Sequence, residues 1–301
     1  MTDPPRVRAF FKRILPAPIR RVLRAPITYG QRLGRWGIVL VQIRGCSVRD
    51  EMKLLASALA APFVCWRDLD RWQDPILLFD TQVRVSGIGN FFLRRRTDDL
   101  YHVLPHREQA LIAALHAQLR PGDFFVDAGA NIGIYTVLAS QLVGGNGRVL
   151  AIEMMPETAA ILRRHIECNA CCNTRIVEQA LADRTGDAVT ARVVAGHHGQ
   201  ASIIRTDYDG SVSESTVHTT TLDALLADGK PIRLIKMDLE GAEHRAVQGA
   251  SEVLDRTHAL IFEDWSVVAQ SSASVQSILQ SRGFGLRRID GRNWIALRES
   301  A

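Results

Sequence analysis

The sequence has no long hydrophobic run. Its longest early apolar stretch, residues 38–43, is short and lies between Arg35 and Arg44, whereas a membrane-spanning helix needs roughly 18 apolar residues in succession. The basic start of the chain also lacks the continuous apolar core and the small-residue cleavage site of a secretory signal peptide. We therefore expect a cytoplasmic protein without a transmembrane helix.

Cysteine is scarce as well, with five residues in a chain of 301. The number is odd and too low for a disulfide-stabilised secreted domain, so we expect reduced thiols. Three of the five form the cluster Cys168, Cys171 and Cys172. A structural metal site would need a second pair of cysteine or histidine ligands at suitable spacing, and the sequence has none.

Acidic residues are rare at the N-terminus. Residues 1–50 contain eleven Lys and Arg but only two Asp and Glu, a local charge of +9. Because the whole chain carries +5, the remaining residues carry a net charge of −4. Nucleic-acid binding usually needs a basic face beside the active site, and an acidic domain does not favour it.

Within the basic segment, residues 6–24 alternate Lys and Arg with apolar residues. Pro16 and Pro18 interrupt this pattern, so it predicts two short helices rather than one. A basic amphipathic segment suits an anionic membrane surface, although a helical hairpin packed on the main domain would have the same pattern. We assign residues 1–75 to a basic, mainly helical appendage that could contact an anionic membrane through residues 1–50, at the inner face of the membrane.

The rest of the chain, residues 76–301, is predicted to form an α/β domain organised around residues 124–136. This stretch is a short apolar run ending in an acid, then a small-residue turn, then a helical pattern. Gly129 allows the backbone to turn sharply, and Gly133 allows the next helix to approach the strand closely. The pattern is typical of a nucleotide-binding unit, in which N–H groups at the helix start face the ligand.

Two side chains indicate which ligand this turn binds. Dinucleotide-binding turns have glycine at the position of Asn131, whose side chain would crowd a pyrophosphate. Asp127 would also face the phosphates with a negative charge. A positively charged ligand without phosphate fits better, and S-adenosylmethionine has a sulfonium and an ammonium group. Glu153, at the end of the next apolar run, can accept both ribose hydroxyl protons.

Four apolar runs end in acids, namely Asp127, Glu153, Asp238 and Glu263. Ligands of open parallel sheets bind at the carboxyl ends of the strands, and unpaired acids are costly to bury there for stability alone. We therefore expect these acids to meet at one binding or catalytic edge. For Glu240 and Glu243, in the following turn and helix start, a helix-capping role is the alternative.

These residues carry a resemblance to the FkbM-type methyltransferases. The matching segments are residues 127–136, Glu153 with Pro156, and the more specific stretch 235–243, which contains the pattern Lys-x-Asp-x-Glu-Gly-x-Glu. The resemblance covers about residues 90–298. It implies a doubly wound, Rossmann-like seven-stranded sheet of the class I methyltransferase type, mostly parallel with an antiparallel C-terminal hairpin. It also implies S-adenosylmethionine as methyl donor and a hydroxyl acceptor on a sugar, glycan or polyketide.

The expected cofactor site combines these positions. One departure from the family is Met154-Met155, since the family often has proline directly after the glutamate. Gln179 and Ala180 lie where an adenine ring would lie in a doubly wound sheet. The residues expected to contact the cofactor are Asp127, Gly129, Ala130, Asn131, Gly133, Tyr135, Thr136, Glu153, Met154, Gln179, Ala180 and Asp238.

Asp238 is also the expected catalytic residue, because it ends a strand beside the cofactor strand and can accept a hydroxyl proton. Glu240 and Glu263 are expected to support it. Glu240 and Glu243 could hold the acceptor or join Asp238 in a divalent metal site, and whether a metal takes part stays open. His244 is a further candidate base, although a surface helical histidine is the alternative. Residues 197–198 lie in a loop that could close over the site, with an ordinary exposed loop as the alternative.

A different class of function is a non-catalytic scaffold that keeps the fold and docks through the basic N-terminus. The intact set of strand-end acids speaks against it. A nicotinamide-dependent dehydrogenase is disfavoured by Asn131. The expected partner is therefore a small-molecule or glycan acceptor and not a nucleic acid.

Overall fold

The computed structural model describes residues 17–64, 75–205, 211–263 and 274–298. Side chains of the first helix are described from Tyr29 onward. Residues 1–16, which include the first of the two short helices expected at the N-terminus, lie outside the described residues.

The first part of the chain places helices against a small antiparallel sheet. Its elements are α1 (Ala17–Gln42), β1 (Ile43–Gly45), α2 (Val48–Val64), β2 (Thr81–Val85), β3 (Gly89–Leu93), α3 (Asp99–His102) and α4 (Gln109–Gln118). The three strands pair in the order β1-β2-β3. The domain boundary at residue 75 stays a prediction, although β1 pairs with β2 across it and Trp36 shares a hydrophobic core with Phe91.

The described part of the N-terminus corrects one expectation. Instead of a second short helix, α1 is a single helix of 26 residues. Pro18 falls in its first described turn, a position that a proline tolerates. The second helix is therefore much longer than expected, and the break predicted at Pro16 and Pro18 stays a prediction because residue 16 lies outside the described residues.

The remaining elements alternate strands and helices. They are β4 (Phe124–Ala128), α5 (Ile134–Val143), β5 (Arg148–Ile152), α6 (Pro156–Cys168), β6 (Thr174–Val177), β7 (Ala180–Leu181), β8 (Ala188–Val194), β9 (Val212–Thr220), α7 (Leu222–Leu225), β10 (Ile232–Met237), α8 (Glu243–Gln248), α9 (Ser251–Asp255), β11 (Thr257–Glu263), α10 (Val275–Ser281), β12 (Phe284–Arg288) and β13 (Asn293–Arg298).

The seven-stranded central sheet has the order β12-β13-β11-β10-β4-β5-β6. The pairs from β11 to β6 are parallel, whereas β13 pairs antiparallel with both β11 and β12. Both faces are covered, since Phe125 and Val126, neighbours on β4, belong to different hydrophobic cores. This confirms the predicted doubly wound sheet with an antiparallel C-terminal hairpin.

Between β6 and β10 the chain forms an inserted three-stranded sheet of order β7-β9-β8. Within it β8 and β9 form an antiparallel pair, and the loop that follows β8 includes residues Ala195 to Ser202. None of the helices in the described parts of the chain is both long and apolar enough to span a membrane.

His165 connects the small sheet to the central sheet. His165 belongs to α6, and its side chain is completely buried. The Nδ1 atom lies 2.6 Å from the Ile132 carbonyl oxygen, and the Nε2 atom accepts the Phe92 N–H at 2.8 Å. One neutral tautomer satisfies both bonds. Burial lowers the pKa of His165, against the raising influence of these backbone bonds.

We expect His165→Leu to lower the free energy of unfolding by at least about 2 kcal/mol, because two buried backbone groups lose their partner at about 1–3 kcal/mol each. Since the folded pKa lies below the ordinary value of about 6.5, the stabilisation is present above that pH and is lost as pH falls. Urea unfolding between pH 5 and 8 should show a weaker pH dependence in the variant. His116→Leu, at an exposed position of α4, is the matched control; equal stability of the two variants would contradict the role of His165.

Candidate active site

A cleft of about 950 Å³, counting its part open to solvent, lies at the carboxyl ends of β4, β5 and β10. Strand order reverses here, because the chain continues outward from β4 first to β5 and later to β10. The helices that follow diverge to opposite faces, so a crevice opens between them. The predicted site residues that line it are Gly129, Ala130, Asn131, Gly133, Tyr135, Glu153, Met154, Gln179, Ala180, Asp238 and Glu240.

The floor of the cleft is the turn between β4 and α5. Gly129 has a φ of +78°, and a Cβ there would overlap the carbonyl oxygen of Asp238. Gly133 has a φ of +91°, and a Cβ there would run into Leu162 of α6. Asn131 has a φ of +49°, in a region that asparagine tolerates better than most residues. Glycine is therefore required at both positions, for conformation and for close approach.

Glu153 closes the turn from the neighbouring strand. Its Oε2 accepts the N–H of Asn131 and its Oε1 accepts the N–H of Met155, both at 2.9 Å. Burial raises the pKa of Glu153, while the two N–H bonds act in the opposite direction. Each carboxylate oxygen has a second lone pair. The side chain is thus held in place and can still accept hydroxyl protons from a ligand.

Lys236 joins two carboxylates beneath the turn. Its Nζ lies 3.5 Å from both Asp127 Oδ1 and Asp238 Oδ2, and donates to the Gly129 carbonyl at 3.2 Å. Burial alone would lower the pKa of Lys236, but Asp238 and Asp127 raise it. Asp127 is fully buried and accepts a 2.6 Å hydrogen bond from Thr136. Asp127 and Thr136 therefore lie below the turn, not on the cleft surface where the sequence pattern placed them.

The turn after β10 is held by a second carboxylate. Glu243 is buried and accepts the N–H of Leu239 at 2.6 Å and the N–H of Gly241 at 3.0 Å. Glu240 has a positive φ of +51° and lines the cleft. Burial is the largest cause that raises the pKa of Glu240, and the negative charge of Asp238 is the second; the pKa is raised to about 8. Glu240 is therefore protonated near neutral pH, and its carboxylic acid can donate a hydrogen bond.

The remaining two predicted catalytic residues are Glu263 and His244, and the negative charge of Glu263 is among those that raise the pKa of Glu240. Glu263 ends β11 with its carboxylate 3.7 Å from Arg292 of the C-terminal hairpin. His244 is on α8, and its buried Nε2 has no hydrogen-bond partner among the described residues. Within the described chain, neither side chain is among those that line the cleft. Both roles stay predictions.

Several cleft residues were missed by the sequence analysis. His102 of α3 lies at the cleft, with its Nε2 3.3 Å from Asp98 Oδ2. Asp98 also accepts the N–H of Gly199 at 3.1 Å, so the loop between β8 and β9 is tied to this pair. His198 of that loop lines the cleft, as its proposed closing position suggests.

Burial alone would lower the pKa of His102, but Asp98 raises it above its ordinary value. On the same side of the cleft, Glu108 forms a hydrogen bond with the hydroxyl of Tyr135. No sequence signal marks His102 or Glu108, because the segment from 98 to 108 has neither a motif nor a regular period that would point to the cleft.

The cleft fits S-adenosylmethionine. The backbone at Gly129 leaves a cradle that any side chain would fill. The carboxylates of Asp127, Asp238 and Glu153 outnumber the one ammonium of Lys236, so the site favours a ligand with positive charge. The Oδ1 atom of Asn131 is buried and has no partner among the described residues, which leaves an acceptor for a ligand donor. Metal binding is a separate matter: the described residues contain no group of three or more His, Cys, Asp or Glu suited to a metal ion.

Comparison with known proteins gives matches of different extent. Protein-L-isoaspartate O-methyltransferase 1 of Arabidopsis thaliana is 31% identical over 83 residues, which are 28% of this chain and 36% of that protein. The chain thus spans about a third of the length of this curated relative.

Two solved structures are similar at lower identity. Precorrin-6y C5,15-methyltransferase of Geobacter metallireducens is 14% identical, with 64% of this chain and 89% of that chain covered and a TM-score of 0.40. Fibrillarin of Aeropyrum pernix, in complex with natively bound S-adenosyl-L-methionine, is 11% identical, with 72% and 87% covered and a TM-score of 0.40.

The profile of the family described as "Methyltransferase FkbM domain" matches residues 127–285. The match begins at Asp127, at the end of the first central strand, and extends over the glycine turn, the strand-end acids and α10. It covers more than half of the chain, and it confirms both the resemblance and the cofactor inferred from the turn. The chain belongs to the FkbM methyltransferase family, and its cofactor is S-adenosylmethionine.

Proposed function

We propose that the protein transfers a methyl group from S-adenosylmethionine to a hydroxyl of a sugar, glycan or polyketide-type acceptor. The observation that supports this most directly is the Asp238 carboxylate. Its side chain is 42% exposed and lines the cleft at the switch point of the sheet, while Lys236 holds it at 3.5 Å. A carboxylate in this position can accept a proton from an acceptor hydroxyl.

When bound, the cofactor supplies an electrophilic methyl group. Glu153 is proposed to accept hydrogen bonds from the ribose hydroxyls, since its carboxylate is already oriented by two backbone N–H groups. Gln179 and Ala180, at the far side of the cleft, are proposed to border the adenine. This leaves the side of Asp238 and Glu240 for the acceptor. Asp238 then takes the hydroxyl proton, and the fixed geometry supplies the alignment that methyl transfer requires.

His102 is a second candidate for the base. The structure favours it because the carboxylate of Asp98 lies 3.3 Å from its Nε2, where it can orient the ring, and raises its pKa above the ordinary value. A pair of this kind, with a carboxylate fixing the imidazole, is a common arrangement for proton transfer. The two candidate bases differ in how their substitution should affect turnover and its pH dependence.

Glu240 is proposed to bind the acceptor rather than to act as a base. With a pKa of about 8 its side chain keeps a proton at neutral pH, so it can donate a hydrogen bond to an acceptor oxygen. Glu240 and Asp238 both line the cleft, so their carboxyl groups can donate to and accept from neighbouring hydroxyls of a polyol. The net −4 charge of the sequence after residue 50 is unfavourable for a nucleic-acid acceptor.

Replacing Glu153 with Ala should weaken S-adenosylmethionine binding, because two charge-assisted hydrogen bonds of about 1.5–3 kcal/mol each are lost. Calorimetry should therefore show a decrease of at least tenfold in affinity. Glu157→Ala, four residues further on and exposed, is the matched control. Thermal unfolding of both variants shows whether the loss reflects unfolding. Unchanged cofactor affinity in a folded Glu153→Ala protein would remove this residue from the site.

Asp238→Asn should lower kcat by about 10²–10⁴-fold if Asp238 is the general base, because the shape is kept and the charge is lost. The assay is methyl transfer from labelled S-adenosylmethionine to a lysate fractionated into lipid-linked glycans, free small molecules and RNA. Label is expected in a glycan or small-molecule fraction. Asp187→Asn, exposed in the inserted sheet, is the control.

Other outcomes of this assay have distinct meanings. Normal turnover by Asp238→Asn would move the proton transfer to His102, and His102→Gln should then abolish the acidic limb of the pH–rate profile. Label in RNA would contradict the proposed acceptor. Cofactor binding without transfer to any fraction would favour the non-catalytic scaffold.

The protonation state of Glu240 predicts a pH effect on catalysis. Because its pKa is raised to about 8, the carboxyl group is neutral at pH 7 and ionises above pH 8. The ratio kcat/KM should therefore fall on the alkaline side of pH 8. Glu240→Gln keeps a neutral donor at all pH values and should retain activity at pH 9. A wild-type alkaline limb in this variant would show that another group titrates.

A further inference from the structure

The exposed large apolar side chains of the protein are concentrated on one element pair. Among the described residues there are eleven such side chains, and eight of them belong to α1 and α2. Helices α1 and α2 are called the helical hairpin below, and we call this set of side chains the hairpin stripe. Its members are Leu33, Ile38, Val41, Val48, Met52, Leu55, Leu59 and Phe63.

The α2 members of the stripe lie on the side of that helix opposite its buried face. On α2 its members are spaced by four, three, four and four residues, which places them on one helix face. The opposite face is buried, with Leu54 completely inaccessible and Ala61 nearly so. The side chains on the outer face are strongly exposed, at 84% for Val48 and 70% for Leu59.

The two helices of the hairpin lie side by side. The ring of Tyr29, near the start of the described side chains of α1, is 4.6 Å from the ring of Phe63, at the end of α2. Val41 and Val48 lie at the other end, on either side of β1. The two helices are therefore antiparallel, and both contribute exposed apolar residues to the stripe.

The charges beside the stripe are almost all positive. Arg44 and Arg49 are exposed, and the exposed Arg44 guanidinium lies 3.7 Å from the carboxylate of Glu51. The segment from 29 to 64 has two acids, and neither is exposed: Asp50 is buried, and Glu51 is half-buried and accepts the Gly45 N–H. The preceding residues 1–28 add seven Lys and Arg and one Asp. Two copies of such a surface would repel each other, whereas an anionic surface would attract it.

We propose that the hairpin stripe docks on an anionic lipid bilayer, with its apolar side chains in the interface and Arg44 and Arg49 at the headgroups. A helix with an apolar face and basic flanks lies in the plane of such an interface. The proposal extends the sequence prediction, which placed membrane contact within residues 1–50, because four of the eight stripe residues follow that segment on α2.

The test is co-sedimentation of the full chain with vesicles at low ionic strength. Vesicles of phosphatidylcholine with phosphatidylserine should bind the protein, and vesicles of phosphatidylcholine alone should not. Met52→Glu combined with Leu59→Glu should lower the partition coefficient more than tenfold, because two apolar side chains leave the interface and two like charges face the lipid. Phe79→Glu combined with Val212→Glu changes two exposed apolar residues elsewhere and should bind as the wild type does.

The stripe variant keeps every basic residue, so the experiment separates the stripe from the basic N-terminus. Wild-type binding by a folded stripe variant would overturn the proposal in favour of attachment through charge alone. Light scattering provides a second measurement: a wild-type dimer that the stripe substitutions dissociate, without binding to vesicles, would assign the stripe to a second copy instead. Circular dichroism and S-adenosylmethionine binding verify that the variants are folded.

Discussion

The buried ammonium of Lys236 is the interaction on which the candidate active site depends. Lys236 of β10 and Asp127 of β4 are direct partners in the parallel ladder. Because side chains alternate along a strand, Asp238 lies on the same side as Lys236, two residues further on. The ammonium thus lies between two carboxylates and offsets part of their mutual repulsion, and its bond to Gly129 connects them to the cofactor turn.

The walls of the cleft come from segments far from this floor, and a few polar contacts attach them. Asp98 accepts the Gly199 N–H, so the segment before α3 is joined to the inserted sheet. Ser202, in the same insertion, donates to the carbonyl of Glu240 at 2.8 Å. Polar contacts of this kind depend on distance and direction, which packing of the whole domain has to provide. The part of the cleft proposed for the acceptor is therefore formed by segments that are distant in sequence, whereas the floor of the cleft is formed at the ends of the central strands.

Much of the fold could be predicted because its causes are local. The turn at Gly129 and Gly133 needs positive φ angles and close approach, and these are requirements on single residues. Strand-end acids such as Asp238 come to one edge because parallel strands share their carboxyl ends. The C-terminal hairpin, which the family resemblance implied, pairs two strands that are close in sequence, on either side of Asp290.

Local sequence patterns predict the sheet, the cofactor turn and the edge at which the strand-end acids meet, whereas the packing of distant segments sets which of these acids face the cleft. Asp127 turns inward to Lys236 and Glu263 lies beside Arg292, because the direction of a side chain depends on register and on the neighbouring element. His102 enters the cleft through contacts with a loop about a hundred residues away, which no local pattern encodes. The exposure of Met52 was likewise a tertiary result, since an apolar helical face is buried or left open only by what packs against it.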